Sequence, residues 1–208
     1  MFLKGPKIDA ALPTYIHSGG GWDFRKDNTH YYSWYQSAFT PEECDGIIGV
    51  AEQQGFMEAK IASEKEHDNA VRDSSVNFIF PNMDTTWVFE RLQQVAETLN
   101  SGFFNFDITG INEGCQLTRY TAPAGHYDWH LDAQPHGKVR KLSMTLQLSP
   151  PDAYEGGDLE VSDGSSITMP KEQGTVCCFP SWLAHRVTPV TKGTRYSLVS
   201  WVSGPPFK

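Results

Sequence analysis

Residues 174–202, GTVCCFPSWLAHRVTPVTKGTRYSLVSWV, carry the reading of the fold. The runs GTVCCF, HRVTPV and TRYSLVSWV are rich in β-branched and aromatic residues and are punctuated by Gly and Pro. That composition reads as short strands. Alternate side chains of a strand share a face. Cys177 and Cys178 are therefore expected on opposite faces, and Arg195, Ser197, Val199 and Trp201 on one face of the last strand. With Arg195 turned inward, Trp201 should lie deeper along the same interior face. A lone guanidinium inside a β-structure is strongly unfavourable without an anion. The strand therefore calls for an anion, and Ser197 can donate to the same group.

The same texture begins after Phe103, with the runs FDITG, CQLTRYT, RKLSMTLQLS, GDLEV and SSITMP. Many short strands separated by turn residues indicate a sandwich or barrel. The first half is different. Thr40-Pro41-Glu42-Glu43 combines a cap, a proline for the first helical position and a capping-box glutamate. Ile47, Ile48 and Ala51 give an apolar stripe, and Gly55 can end the helix. A second helix is expected from about Asp84 or Thr85, with Val88, Leu92, Val95, Ala96 and Leu99 at helical spacing and Asn100-Ser101-Gly102 as its stop. Between them NAVRDSSVNFIF reads as a strand, and the preceding ASEKEHDNA as a solvated loop or a lid. The expected architecture is mainly β with supporting helices: a double-stranded β-helix, or jelly roll.

Against that frame the segment HYDWHLDA, residues 126–133, becomes informative. His130 and Asp132 form H-x-D, and on a strand both side chains face the same space. His185 follows 53 residues later, far enough to come from another strand. Two neutral nitrogen donors and one anionic oxygen make the 2-His-1-carboxylate set that suits non-haem Fe(II) and leaves positions open. Arg195 comes ten residues after His185, and its planar fork suits bidentate capture of a carboxylate. Tyr120 shares a face with Gln116 and Thr118, and Ser143, Thr145 and Gln147 form the polar face of RKLSMTLQLS. One or more of these three is expected to line the anion pocket. The Pro-Ala-Gly approach to His126 and Asp128 suggests a loop there. His17, His30, His67 and His136 stand in polar contexts and are read as solvated.

These residues carry a resemblance. QLTRYTAPAGHYDWHLDA, RKLSMTLQLS, EGGDLEV and GTVCCFPSWLAHRVTPVTKGTRYSLVSW are similar to the Fe(II)/2-oxoglutarate-dependent dioxygenases, most closely their prolyl 4-hydroxylase-like branch. It runs from about Gln116 to Val202. It implies the same jelly-roll, cupin-like fold. His130, Asp132 and His185 would be the iron ligands, with Arg195 clamping the far carboxylate of 2-oxoglutarate. Tyr120 and Ser197 would assist there, and Tyr127 matches an aromatic position near the iron. The implied cofactors are Fe(II), 2-oxoglutarate as co-substrate and O2, with ascorbate as reductant. The implied reaction hydroxylates a C–H bond, with succinate and CO2 as co-products. Asp132 argues against a halogenase, where a small residue would vacate that position. The substrate implied is a prolyl residue in a peptide or protein. A free amino acid or other small molecule is the alternative, and a non-catalytic jelly-roll binding protein is the alternative of another class. A fold does not establish a substrate.

Bulk properties narrow the rest. A chain of 208 residues suffices for one domain, read as an N-terminal arm (1–35), supporting helices and strands (36–110) and a jelly-roll core (111–203). The arm carries the aromatic cluster Trp22, Phe24, Tyr31, Tyr32, Trp34 and Tyr35, read as an edge packed on the core or as a flap over substrate. Net charge −8 argues against a nucleic-acid partner. No apolar run reaches the length of a membrane span, and MFLKGPKIDAALPTYIHSGG does not read as a secretory signal. Cys44, Cys115, Cys177 and Cys178 contain no C-x-x-C pair and are read as reduced thiols in a cytoplasmic, reducing compartment. The sequence leaves the oligomeric state open.

Overall fold

The computed structural model describes residues 3–4, 30–59, 71–133 and 137–206. ASEKEHDNA up to Asn69, His17, His67, His136 and the arm residues Trp22 and Phe24 lie outside the described residues. In chain order the elements begin with β1 (Leu3–Lys4), β2 (Ser33–Tyr35), α1 (Pro41–Gln54), β3 (Met57–Glu58), β4 (Arg72–Asp73), β5 (Ser75–Ile79) and α2 (Thr86–Leu99). There follow β6 (Gly110–Ile111), β7 (Cys115–Thr121), β8 (His126–His130), β9 (Arg140–Gln147), β10 (Tyr154–Gly156) and β11 (Leu159–Ser162). The chain closes with β12 (Ser166–Thr168), β13 (Val176–Pro180), β14 (Ala184–Val187) and β15 (Val190–Ser203).

The major sheet runs β1-β2-β13-β9-β15-β7-β5-β3, with β6 and β10 also pairing with β15; the minor sheet runs β12-β11-β14-β8-β4. Every pairing is antiparallel. The expected mainly β jelly roll with supporting helices is what the chain forms. The helices cover the outer face of the major sheet. Ile47 and Ala51 of α1, and Val88, Leu92, Val95, Ala96 and Leu99 of α2, pack with Leu142, Met144, Leu146, Cys178, Leu198 and Val202. A second apolar cluster fills the space between the sheets, joining Tyr120, Cys177 and Phe179 to Leu159, Val161 and Val187. Cys177 and Cys178 thus face different clusters, as alternation requires.

β9 is buried on both faces, and its alternation separates oil from chemistry. Its Leu and Met side chains meet the helices; Ser143, Thr145 and Gln147 turn to the inside. α1 starts as expected: Thr40 Oγ1 accepts from the Glu43 N–H and the Glu43 carboxylate accepts from the Thr40 N–H, and Gly55 ends it. α2 ends differently. Asn100-Ser101-Gly102 does not stop the coil, which continues as a π-helical turn, Asn100–Phe104, to Asn105 at φ 55°. The Asn100 carboxamide closes the turn by donating to the Phe106 carbonyl and accepting from the Phe106 N–H. The run 69–80 splits into β4 and β5, which join different sheets. FDITG contributes only Gly110 to a strand. β2 seats the end of the arm on β13, where Tyr32 and Trp34 stack and pack on the inner cluster. His30 is half-buried, edge-on to Phe103, rather than solvated.

Candidate metal and anion site

One end of the space between the sheets opens into a cleft of about 910 Å³ that His130, Asp132, His185 and Arg195 all line. Each of His130, Asp132 and His185 offers one ligand atom, and the three atoms lie within 4.8 Å of one another. The strands supply this arrangement unevenly. His185 sits inside β14 and pairs across the ladder with His130, the last residue of β8. Asp132 lies beyond the end of β8, so the expectation that H-x-D shares one strand is corrected. Asp132 and Ala133 instead donate their N–H groups to the Ser181 carbonyl, which hangs this segment beside the β13–β14 turn.

β8 corrects a second expectation. Residues 126–130 form a strand and not a loop, because the β4 and β14 ladders take up their backbone groups. The ladder to β14 shifts register between His185 and Val187, a bulge that breaks the alternation. The Tyr127 ring therefore stacks on the His130 ring, with centroids 3.5 Å apart. Asp128 is exposed, and His126, whose Nδ1 meets the Ala124 carbonyl, is not one of the three grouped donors.

The donors are oriented for a cation. The Asp128 carbonyl accepts from His130 Nδ1 at 2.8 Å, and the Leu183 carbonyl from His185 Nδ1 at 3.1 Å. Backbone acceptors at Nδ1 leave each Nε2 lone pair free. His185 Nε2 stands 3.4 Å from Asp132 Oδ2. Burial, and then His185, pull His130 down to about 4, so its imidazole is neutral at physiological pH. Burial pushes the Asp132 carboxyl up, but His185, the Ser143 hydroxyl and His130 outweigh it and hold the group below its usual range. Ser143 Oγ donates to Asp132 Oδ2 at 2.6 Å and lies 3.0 Å from Ser181 Oγ.

At the other end the guanidinium of Arg195 is 1 % exposed. Its Nη2 donates to Gln147 Oε1 at 2.9 Å and Nη1 to Ser197 Oγ at 3.3 Å, while Nε has no partner. Among the described residues no carboxylate pairs with it. Gln147 cannot turn over to donate, because its amide nitrogen is held by the Pro170 carbonyl. The Tyr120 ring centroid lies 5.4 Å from the Arg195 guanidinium carbon, and burial raises its phenol. The Gly156-Gly157 turn makes room: both residues have positive φ, and a Cβ at Gly157 would come 3.0 Å from Arg195 Cδ. A cation fully buried among neutral partners is a receptor for an anion.

Ser197 and Tyr120 are beside Arg195 as expected, and of the polar residues of β9 Gln147 serves this end while Ser143 serves the other. Trp201 is not deeper than Arg195 but at the metal end. It stands across the ladder from Ser143, with the Arg140 guanidinium carbon 3.8 Å over its ring. The sequence reading missed Arg140, Glu113, Ser181 and Arg72. Glu113 holds Arg140 through two hydrogen bonds, and Arg140 reaches the Asp132 carbonyl. These residues come from separate strands and turns, and no spacing links them.

The profile described as 2OG-Fe(II) oxygenase superfamily matches residues 115–203, which contain all four cleft residues named first. A PKHD-type hydroxylase of Sphingopyxis alaskensis is 37 % identical over 123 residues, 55 % of this chain and 56 % of that protein. One of Hyphomonas neptunium is 40 % identical over 84 residues, 36 % of this chain and 37 % of that protein. The matches thus span from about a third to just over half of these relatives' own length. Among solved structures, a Pseudomonas putida prolyl-4-hydroxylase aligns at TM-score 0.68 and 19 % identity, covering 86 % of this chain and 95 % of its own. A Trichoplax adhaerens prolyl hydroxylase, in complex with a hypoxia inducible factor oxygen degradation domain peptide fragment, aligns at TM-score 0.71 and 18 % identity, covering 84 % of each chain. At these identities the structural likenesses speak to the fold.

Proposed function

From the match of residues 115–203 to the model of the 2OG-Fe(II) oxygenase superfamily, we propose that this chain is an Fe(II)- and 2-oxoglutarate-dependent dioxygenase. It acts as one domain and hydroxylates a C–H bond of a prolyl residue in a peptide or protein. The observation that carries the proposal is the pairing, in one cleft, of the His130-Asp132-His185 donor set with a fully buried Arg195 that has no described carboxylate partner. A metal-binding protein needs the first alone. A dicarboxylate that must reach a metal with one end requires both.

His130, Asp132 and His185 would hold the iron, and the donor set fits it: two imidazoles whose Nδ1 atoms meet backbone carbonyls, and one carboxyl held below its usual range. Bound iron supplies oxidation by dioxygen, coupled to conversion of 2-oxoglutarate to succinate and CO2, with one oxygen atom going to the substrate C–H bond. The chain's own residues do the positioning. Arg195 and Ser197 hold the far carboxylate, and Tyr120 walls it. Arg195 must exchange the Gln147 carbonyl oxygen for the incoming carboxylate, a stronger acceptor. Ser143 keeps Asp132 Oδ2 fixed. Tyr127, stacked on His130, holds the plane of that ring. The four unpaired, buried cysteines support a reducing, cytoplasmic setting. No helix among the described residues is long and apolar enough to cross a membrane.

The test is anaerobic reconstitution with Fe(II) and 2-oxoglutarate, followed by oxygen and a mass-spectrometric screen of proline-containing peptides beside free amino acids. A gain of one oxygen atom in peptides, with matching succinate, is the expected result. Gain in free amino acids alone moves the substrate to a small molecule. No succinate under any condition removes the enzyme reading.

A further inference from the structure

Among the described residues three guanidiniums line the cleft, and they differ in what satisfies them. Arg140 is paired by Glu113. Arg195 has neutral partners and is assigned above to the co-substrate. Arg72 has neither a carboxylate among the described residues nor a role in that assignment. It is 7 % exposed, its Nε donates to Ser74 Oγ at 2.9 Å, and its buried Nη2 has no partner among the described residues. β4 pairs with β8 so that Arg72 stands opposite Tyr127, and the guanidinium carbon lies 4.4 Å from the centre of the Tyr127 ring. That ring in turn stacks on His130. The cation is therefore close to the metal donors, on the minor sheet, whereas Arg195 stands on the major sheet. Phe78, Phe80 and Leu131 also line the cleft and are exposed.

Burying a guanidinium with a free donor is costly unless an anion meets it. With the far carboxylate of 2-oxoglutarate assigned to Arg195 on the major sheet, Arg72 on the minor sheet still calls for an anion. Resting on the dioxygenase reading, we propose that Arg72 is a specificity residue that binds a carboxylate of the substrate, close to the carbon that is hydroxylated. The carboxylate has two sources in a prolyl substrate: the C-terminus of a peptide ending in proline, or an acidic side chain beside the proline. Arg72 is to the substrate what Arg195 is to the co-substrate.

The test uses the full chain loaded with Mn(II) and 2-oxoglutarate, so that binding is read without turnover. The probes are matched pairs: acetyl-Ala-Pro as free acid and as amide, and acetyl-Ala-Pro-Asp-amide against acetyl-Ala-Pro-Asn-amide. The acid of at least one pair is expected to bind about tenfold or more tightly than its neutral twin, and which pair discriminates identifies the source. Arg72→Gln should erase the difference, Arg72→Lys should restore part of it, and 2-oxoglutarate affinity should stay as in the unaltered chain. The proposal is overturned if the unaltered chain binds acid and neutral probes alike or binds neither. Discrimination that survives in Arg72→Gln overturns it too. So does loss of 2-oxoglutarate binding in that variant, which would assign Arg72 to the co-substrate. A failure of 2-oxoglutarate to bind the unaltered chain would instead strike the dioxygenase reading itself.

Discussion

At the Arg195 end of the cleft the side chains stand on regular strands. Arg195 and Ser197 alternate on β15, Gln147 faces them from β9, and Tyr120 from β7. At the His130 end the donors are placed unevenly: one closes a strand, one follows it on a segment hung from Ser181, and a bulge lies between His185 and Val187. A far carboxylate needs a deep cation and a dry wall, which a sheet interior provides by alternation. Convergent donors need directions that no single strand offers, so the chain breaks its ladder to aim them. Backbone carbonyls at each Nδ1 and the Ser143 hydroxyl at Asp132 then replace regularity as the source of rigidity.

The largest effects should come from the irregular end. His130→Ala or His185→Ala should reduce Fe(II)-dependent succinate formation to background while the circular dichroism spectrum stays that of a β-rich protein. Full turnover in either variant removes the donor assignment. Ser143→Ala tests whether the rigidity comes from the hydroxyl. Loss of an outer partner of a metal ligand typically costs about 10- to 100-fold in metal affinity, measurable by Mn(II) or Co(II) titration. An unchanged affinity would mean that the Ser143 hydroxyl is not what fixes the carboxylate.

A smaller effect should follow acidification of the metal-free protein. His130 titrates at about 4 in the fold against a usual 6.5, so between those values the unfolded chain binds more protons. Stability then rises with pH across that window and is lost as pH falls from 6.5 to 4. Asp132, held below its usual 3.8, acts in the same direction at lower pH. Denaturant midpoints measured across this range, with His130→Asn as control, should show the slope flattened in the variant. A slope that persists belongs to other groups. Smallest, and outside the cleft, Thr40→Ala removes the α1 cap and should cost about 1 kcal/mol in denaturant unfolding. It should leave metal and 2-oxoglutarate affinities alone, because α1 packs on the far face of the major sheet.

The same contrast explains what could be read from the chain. The strands of the second half other than FDITG and β8, the capping box of α1 and the inward face of β15 follow from local composition and alternation, and they stand as expected. The Pro-Ala-Gly approach misled at β8, where the pairings with β4 and β14 make a strand of a presumed loop, and alternation misled at Asp132, which lies beyond that strand. It also misplaced Trp201, because the distance along β15 leads from the Arg195 end toward the metal end rather than deeper. Arg72, Glu113, Arg140 and Ser181 left no trace in spacing, since each reaches the cleft through a sheet pairing or a turn remote in sequence. Gly102 reads as a helix stop but does not act as one, because the Asn100 carboxamide closes a wider turn around it.

The central claim is that the two ends form a single site spanned by one dicarboxylate. Calorimetric titration of 2-oxoglutarate under anaerobic conditions, with Mn(II) present, measures it in the unaltered chain and in Arg195→Ala and Arg195→Lys. Loss of one partner of a buried charged pair typically costs about 3–5 kcal/mol, so Arg195→Ala should weaken 2-oxoglutarate binding by roughly 100- to 1000-fold or more while Mn(II) affinity stays. Arg195→Lys should fall between, keeping the charge and losing the two-point geometry. Unchanged affinity in Arg195→Ala, with the metal still bound, would contradict the account.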